Sequence, residues 1–122
     1  MIAYTTIGTA DIEKAKAYYL ALLEDLGASV LMDVGRLAAL GSPNGGPMLA
    51  VCTPYNEEAP SPGNGNMVAI APGSKEMVDK LHAKALELGG TDEGEPGQRM
   101  DGFYGGYFRD PDGNKLCFCH LG

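Results

Sequence analysis

Apolar residues recur every three or four positions in two stretches of the chain, the spacing typical of a helix that buries one face. The first stretch, TADIEKAKAYYLALLEDLGA, has Asp11 placed to cap its start and Gly27 to end it. The second, GSKEMVDKLHAKALELGG, has Ser74 as the cap and Gly89 as the stop. The apolar positions are Ile12, Ala15, Tyr19, Leu22, Leu23 and Leu26 in the first stretch, and Met77, Val78, Leu81, Ala85 and Leu88 in the second. The sequence therefore predicts two amphipathic helices.

Short strand-like runs surround both helices. AYTTIG precedes the first helix and NMVAIA the second, while ASVLMDV, RLAALGS and PMLAVCT follow the first. A glycine-rich stretch, TDEGEPGQRMDG, follows the second helix and is expected to be irregular; FYGGYFRD and NKLCFCH then form two strands around a PDG turn. Each half thus repeats strand, helix and up to three strands. We predict an α+β fold of two βαβββ modules, at about 1–54 and 64–122, joined by a linker at about 55–63.

Alternation along the strands divides their residues between two faces of the sheet. Tyr4, Met67 and Cys117 belong to one set of faces, with Cys119 two residues further along. The opposite faces are more apolar and carry Ile7, Val68, Ile70, Leu116 and Phe118. We expect the helices to pack on these apolar faces, on the outer side of the sheet, and to bury Leu22 and Leu81 there.

Composition narrows the classes of function. A length of 122 residues suits a single domain, and a net charge of −7 argues against nucleic acid or an anionic membrane as a partner. No apolar run approaches the roughly 20 residues of a membrane span, and the N-terminus lacks the features of a secretory signal. Three cysteines, an odd number, fit a reducing cytoplasm better than a disulfide framework.

Three blocks in this order resemble the vicinal oxygen chelate superfamily, the group of glyoxalase, bleomycin-resistance and ring-cleaving dioxygenase proteins. They are ADIEKAKAYY after the opening strand, GNGNMVAIAPGSKEMVDKLHAKALELGGT in the middle, and FYGGYFRDPDGNKL near the end. The resemblance covers nearly the whole chain. It implies paired βαβββ modules that form one curved mixed sheet around a small-molecule cavity, and a homodimer.

The resemblance also locates the family's metal ligands. In metal-dependent members one ligand comes from the opening strand, one from the first strand of the second module, and a Glu from the last strand; these places fall on Tyr4, Met67 and Cys117. A neutral phenol, a thioether and a thiol replace the nitrogen and carboxylate donors that a divalent ion prefers. We therefore expect no metal and no cofactor, and a cavity that suits an apolar or aromatic ligand.

Other residues are candidates for ligand contact. Tyr104 lies where the family places an aromatic over the substrate, so Tyr4 and Tyr104 are the candidate acid–base groups. Tyr55 and Arg99 are expected in loops that overhang the cavity, where Arg99 could pair with a ligand carboxylate or phosphate. Cys117 and Cys119 are expected to be small wall residues rather than reactive thiols, and a zinc site with His120 is disfavoured because His120 points to the opposite face. His82 is expected on the exposed surface of its helix.

Three functions stay open at this point: a metal-free acid–base enzyme, a metal-dependent lyase or dioxygenase with non-standard ligands, and a protein that sequesters a drug-like compound without catalysis. The expected partners are a small molecule and a second copy of the chain.

Overall fold

The computed structural model describes residues 1–122 and divides the chain into two compact units, Met1–Pro62 and Gly63–Gly122. Each unit contains one four-stranded mixed sheet and one long helix. The fold is α+β and consists of paired βαβββ modules, as the sequence predicted. Neither helix has the length and apolar character needed to span a membrane.

The first unit contains β1 (Tyr4–Gly8), α1 (Ile12–Leu22), a 3-10 turn (Glu24–Leu26), β2 (Ser29–Asp33), β3 (Leu37–Gly41) and β4 (Met48–Cys52). Its sheet has the order β1-β4-β3-β2, with β1 parallel to β4 and the other pairs antiparallel. The side chain of Asp11 accepts a hydrogen bond from the Lys14 amide, which confirms the predicted cap. Gly27 ends the helical segment in a left-handed conformation, with φ of 72°.

The second unit repeats this plan with β5 (Val68–Ile70), α2 (Lys75–Glu87), β6 (Thr91–Met100), β7 (Phe103–Arg109) and β8 (Lys115–Leu121). Its sheet has the order β5-β8-β7-β6, again with a single parallel pair, β5 with β8. Ser74 caps α2 by accepting a hydrogen bond from the Met77 amide.

Strand β6 corrects the expectation that TDEGEPGQRMDG is irregular. The segment pairs with β7 along its length, and the register shifts at three places. Gly94, Pro96 and Gly97 have poor intrinsic preference for strands, and this predicted a loop. The hydrogen bonds offered by β7 override that local preference.

In the second unit, the helix packs on the face of the sheet that the sequence predicted. Gly106 is paired with Phe118, and a Cβ atom at Gly106 would lie 3.1 Å from Cδ2 of His82 in α2. The rings of Phe108 and Phe118 stack on this same face, with centroids 5.4 Å apart. Leu22 and Leu81 are both fully buried. The face of β8 that carries Phe118 therefore packs against α2, and the face that carries Cys117 is directed away from it.

Candidate functional site

Tyr4 lies on β1 in the first unit and is half exposed. Its register partner is Met48, and Thr6 is paired with Ala50. This face carries a small apolar cluster of Leu37, Ala39 and Ala50, with Met48 and Cys52 packed against it. Tyr4 is thus the polar group at the margin of an apolar surface built from small side chains.

Cys117 and Cys119 share one face of β8, which we call the thiol face of the second sheet. Cys117 is paired with Tyr107 on one side and with Ala69 on the other, and Cys119 is paired with Gly105. Both thiols are buried and reduced. Met67 immediately precedes β5 and is partly exposed, with 43% of its surface accessible.

Burial controls the chemistry of Cys117. Removal from water, together with the neighbouring Cys119 thiol, raises the pKa of Cys117 to about 11. The guanidinium of Arg99 opposes this rise but does not overcome it. Because only the thiolate is nucleophilic, Cys117 is a neutral and unreactive thiol near pH 7.

Two cations lie beside the thiols. The guanidinium of Arg99 is 5.2 Å from the ring centroid of Tyr107, and the ammonium of Lys115 is 5.5 Å from it. Neither cation forms a salt bridge with a carboxylate, whereas the nearby Arg109 pairs with Glu93 at 2.6 Å. Arg99 was expected in a loop and instead lies within β6, because that segment is a strand. The thiol face thus presents two uncompensated positive charges around one aromatic ring.

Tyr104 lies on the opposite face of the sheet. Its register partners are Gln98 and His120, and its hydroxyl donates a 2.5 Å hydrogen bond to Oδ1 of Asp79 in α2. This hydrogen bond is the main reason that the pKa of Tyr104 is raised above its usual value. The sheet therefore separates Tyr104 from Cys117, and a single ligand on the thiol face does not reach both.

His82 corrects the expectation of a surface histidine, since only 4% of it is exposed. Its Nε2 lies 3.1 Å from Oδ1 of Asp92 and 3.0 Å from the Tyr107 carbonyl oxygen, so Nε2 carries the proton and donates to these acceptors. The spacing contained the signal: four residues separate His82 from Val78 and three from Ala85, both on the buried face of α2. The absence of a side chain at Gly106 makes room for the ring.

A cleft of about 460 Å³ lies beside His82, between α2 and the edge of the second sheet. Asp79, Asp92 and Glu95 supply three carboxylates to its wall, and Tyr104 closes one side. Tyr55, in the first unit, is 87% exposed, and its ring lies 5.3 Å from the guanidinium carbon of Arg36.

The positions that correspond to the family's metal ligands do not fit a divalent ion. Tyr4 offers a phenol, Met67 a thioether and Cys117 a thiol, and none of these is the imidazole nitrogen or carboxylate oxygen that a hard or borderline divalent ion prefers. No three His, Cys, Asp or Glu side chains are grouped where they could hold a metal ion. No step of a metal-dependent reaction is therefore assigned to these residues.

Comparison with known proteins agrees with this architecture. The chain matches the profile of the Glyoxalase/Bleomycin resistance protein/Dioxygenase superfamily over residues 1–118. It is similar to a glyoxalase/bleomycin resistance protein from Albidiferax ferrireducens T118, with 35% identity and a TM-score of 0.88, covering 100% of this chain and 99% of that one. A search of curated protein sequences gave no match.

More distant solved structures share the fold. A family enzyme from Burkholderia phytofirmans PsJN has 20% identity and a TM-score of 0.81, covering 98% of this chain and 97% of that one. A lactoylglutathione lyase from Agrobacterium tumefaciens has 21% identity and a TM-score of 0.70, covering 98% of this chain and 92% of that one. The profile match over nearly the whole chain, together with the 35% identical structure, shows that the chain belongs to the glyoxalase/bleomycin resistance protein/dioxygenase superfamily.

Proposed function

We propose that the protein binds a small organic anion with an aromatic or apolar body, without a divalent metal, on the thiol face of the second sheet. The observation that carries this proposal is the pair of cations, Arg99 and Lys115, that flank Tyr107 without a carboxylate partner. In a chain with a net charge of −7, two uncompensated cations on one face are an unusual local concentration of positive charge.

Each part of this face suits one part of such a ligand. Arg99 and Lys115 can bind a carboxylate or phosphate through charge-assisted hydrogen bonds, and guanidinium geometry favours bidentate contact. Tyr107 offers a half-buried ring, and the exposed Ala69 offers a small apolar contact. Met67, at the start of β5, adds a flexible apolar side chain that adapts to ligand shape.

Sequestration is favoured over acid–base catalysis at this face. Cys117 keeps its proton near pH 7, and Tyr104, the tyrosine expected to act on a ligand, is directed to the other face and is bonded to Asp79. A tyrosine whose pKa is raised is also a weaker acid, and its phenolate is scarcer near pH 7. The role is therefore that of a binding protein, as in the members that confer drug resistance.

Binding can be tested with benzoate as the probe and neutral benzamide as its matched analogue. By isothermal titration calorimetry, benzoate is expected to bind and benzamide to bind at least about tenfold more weakly, since a charge-assisted hydrogen bond contributes about 1.5–3 kcal/mol. The substitutions Arg99→Gln and Lys115→Gln are each expected to weaken benzoate binding.

The control is Arg36→Gln, because Arg36 also lies over a tyrosine ring, that of Tyr55, but in the first unit. Equal binding of benzoate and benzamide, or an equal loss in the Arg36→Gln variant, would contradict an anion site at Arg99 and Lys115. Elemental analysis by mass spectrometry, before exposure to any chelator, is expected to find no stoichiometric Zn, Fe, Mn, Ni or Mg. One such ion per chain would overturn the metal-free part of the proposal.

The protein is further proposed to be a cytoplasmic homodimer. Met100, Phe103 and Leu121 occupy paired positions on three neighbouring strands, and 66% of Met100 and 63% of Leu121 are exposed. A second copy of the chain would cover this apolar row in a symmetric interface. Sedimentation at micromolar concentration is expected to give a dimer, and Leu121→Asp to shift it towards monomer. A wild-type monomer would refute the assembly.

A further inference from the structure

The two thiols of β8 form a pair that ligand binding does not require. Cys117 and Cys119 lie two residues apart in β8, so their side chains share one face of the strand. Both residues are buried: the exposed fraction is 0% for Cys117 and 5% for Cys119. The third cysteine, Cys52, lies in the first unit and is only partly buried.

The strands beside this pair carry small residues next to the two cysteines. Cys119 is paired with Gly105, and a Cβ atom there would lie 3.5 Å from Sγ of Cys117. On the other side Cys117 is paired with Ala69, so both flanks carry minimal side chains. The half-buried ring of Phe103 lies above Gly105, and its Cε1 is 2.8 Å from that Cβ position. The Phe103 ring is thus one of the side chains that cover this pair.

Strand geometry disfavours a disulfide between the two cysteines. Residues two apart on a strand are separated by about 6.7 Å, with their Cβ atoms similarly spaced. A disulfide requires Cβ atoms about 3.8 Å apart. A metal ion between the sulfurs spans a longer gap, since two metal–sulfur bonds of about 2.3 Å extend the bridge by roughly the missing distance. The pair thus fits a bridging ion better than a direct sulfur–sulfur bond.

The donors select the type of ion. Two thiols without a third His, Cys, Asp or Glu ligand cannot complete the tetrahedral site that zinc prefers. Soft monovalent copper favours thiolate sulfur and is satisfied by two such ligands. The bis-thiolate complex carries one negative charge, and Arg99, which acts electrostatically on Cys117, is placed to compensate it.

We infer that Cys117 and Cys119 form a binding site for a soft, thiophilic monovalent ion of the Cu(I) class, held between the two sulfurs. Binding replaces two S–H bonds by two copper–sulfur bonds and releases both protons to solvent. The ion remains Cu(I), so no oxidant or reductant takes part. This site shares Cys117 with the position where the resemblance puts a ligand of the family's divalent site, but it uses neither Tyr4 nor Met67.

The test is an anaerobic titration of the full chain with Cu(I), with ascorbate as the reductant and bicinchoninate as the competing chromophoric chelator. Wild type is expected to withdraw one Cu(I) per chain. Cys52→Ser is the matched control and is expected to do the same. Cys117→Ser and Cys119→Ser are each expected to bind on the order of a hundredfold more weakly, at least as much as removal of a supporting group costs a metal site.

X-ray absorption at the copper edge of the loaded wild type provides a readout that needs no variant. Two sulfur neighbours without nitrogen or oxygen are expected. The inference is overturned if wild type fails to compete with the chelator, if copper has nitrogen or oxygen ligands, or if only Cys52→Ser abolishes binding. Circular dichroism establishes that the serine variants are folded; if they are not, the absorption spectrum of wild type decides.

Discussion

Gly106 is the position where one added methyl group tests the packing of the second unit most directly. It lies in the middle of β7, is buried, and faces α2. A Cβ atom there would lie 2.9 Å from Cγ of Pro96, 3.2 Å from Cα of Pro96 and 3.1 Å from Cδ2 of His82. All three distances are well inside the roughly 3.5–4.0 Å of favourable carbon–carbon contact.

The cost of Gly106→Ala follows from which neighbours can move. Relief of the Pro96 contact requires a shift of the β6 backbone, and overpacking of this kind costs about 1–3 kcal/mol. Displacement of His82 would also lengthen the hydrogen bonds from its Nε2 to Asp92 and to the Tyr107 carbonyl. Because alanine lowers the conformational entropy of the unfolded chain, it offsets this loss by less than about 1 kcal/mol of stability. We expect a net loss of about 2–3 kcal/mol in the free energy of unfolding.

Gly105→Ala is the matched control, one residue earlier in the same strand. Its Cβ atom points to the thiol face, where its nearest neighbours are Cε1 and Cζ of Phe103, at 2.8 and 3.5 Å, and Sγ of Cys117, at 3.5 Å. The Phe103 ring is half buried and can rotate, so we expect a loss below about 1 kcal/mol. Urea denaturation followed by circular dichroism measures both values.

Gly106→Ala made in a His82→Ala variant isolates the contribution of the histidine ring to its loss of stability. In His82→Ala the ring is absent, and Gly106→Ala should cost less there than in wild type if the two positions are coupled. Equal losses for Gly105→Ala and Gly106→Ala, or a loss below about 0.5 kcal/mol for Gly106→Ala, would refute the packing of His82 and Pro96 against β7.

Three other outcomes are expected. Leu81→Ala should cost about 2–5 kcal/mol in urea denaturation, as for other fully buried leucines, and a loss below about 0.5 kcal/mol would place α2 on the wrong face. Tyr104 has a raised pKa, so its hydrogen bond to Asp79 stabilises the fold fully below about pH 10 and is lost as the pH rises further. When tyrosinate formation is followed by absorbance, Tyr104→Phe should remove the tyrosine that ionises at the highest pH, and an unchanged titration would contradict this. Asp33 has a lowered pKa because of Lys16, so their ion pair stabilises the fold above about pH 4 and is lost at lower pH. In Asp33→Asn the free energy of unfolding should therefore fall less steeply as the pH is lowered below about 4, and the same pH dependence as in wild type would contradict this.

Local signals in the sequence were sufficient for the helices and for most strands. Asp11 and Ser74 are side chains that can satisfy free amides at a helix start, and both do so. Alternation also predicted the helix-packing face of β8 correctly, because Leu116 and Phe118 stand out from the smaller Cys117 and Cys119. These features depend on neighbours in the chain, which a single sequence displays.

Features that depend on distant partners were missed. Gly94 and Pro96 predicted a loop, since the pairing of β6 with β7 is invisible from β6 alone. Alternation places Tyr104 on the α2 face, at an even spacing from Phe108, and this was not used; its contact with a ligand, assigned by resemblance, stays a prediction. His82 was judged by its charged neighbours along the chain rather than by its helical spacing from Val78. In each case the missing information was which surface the residue faces.

The proposed organic-anion site and the proposed soft-ion site would be coupled, because Arg99 is assigned to both. A ligand carboxylate held between Arg99 and Lys115 would use the same positive charge that compensates a copper bis-thiolate at Cys117 and Cys119. Each occupant adds one negative charge to a partly buried face, where such charges are poorly screened. Occupation of one site must therefore weaken the other, and linkage makes the effect equal in both directions. The thiol of Cys117, at the position where the resemblance puts a metal-ligand Glu, would thus change more than the donor set, because it would link the proposed soft-ion site to the proposed anion site.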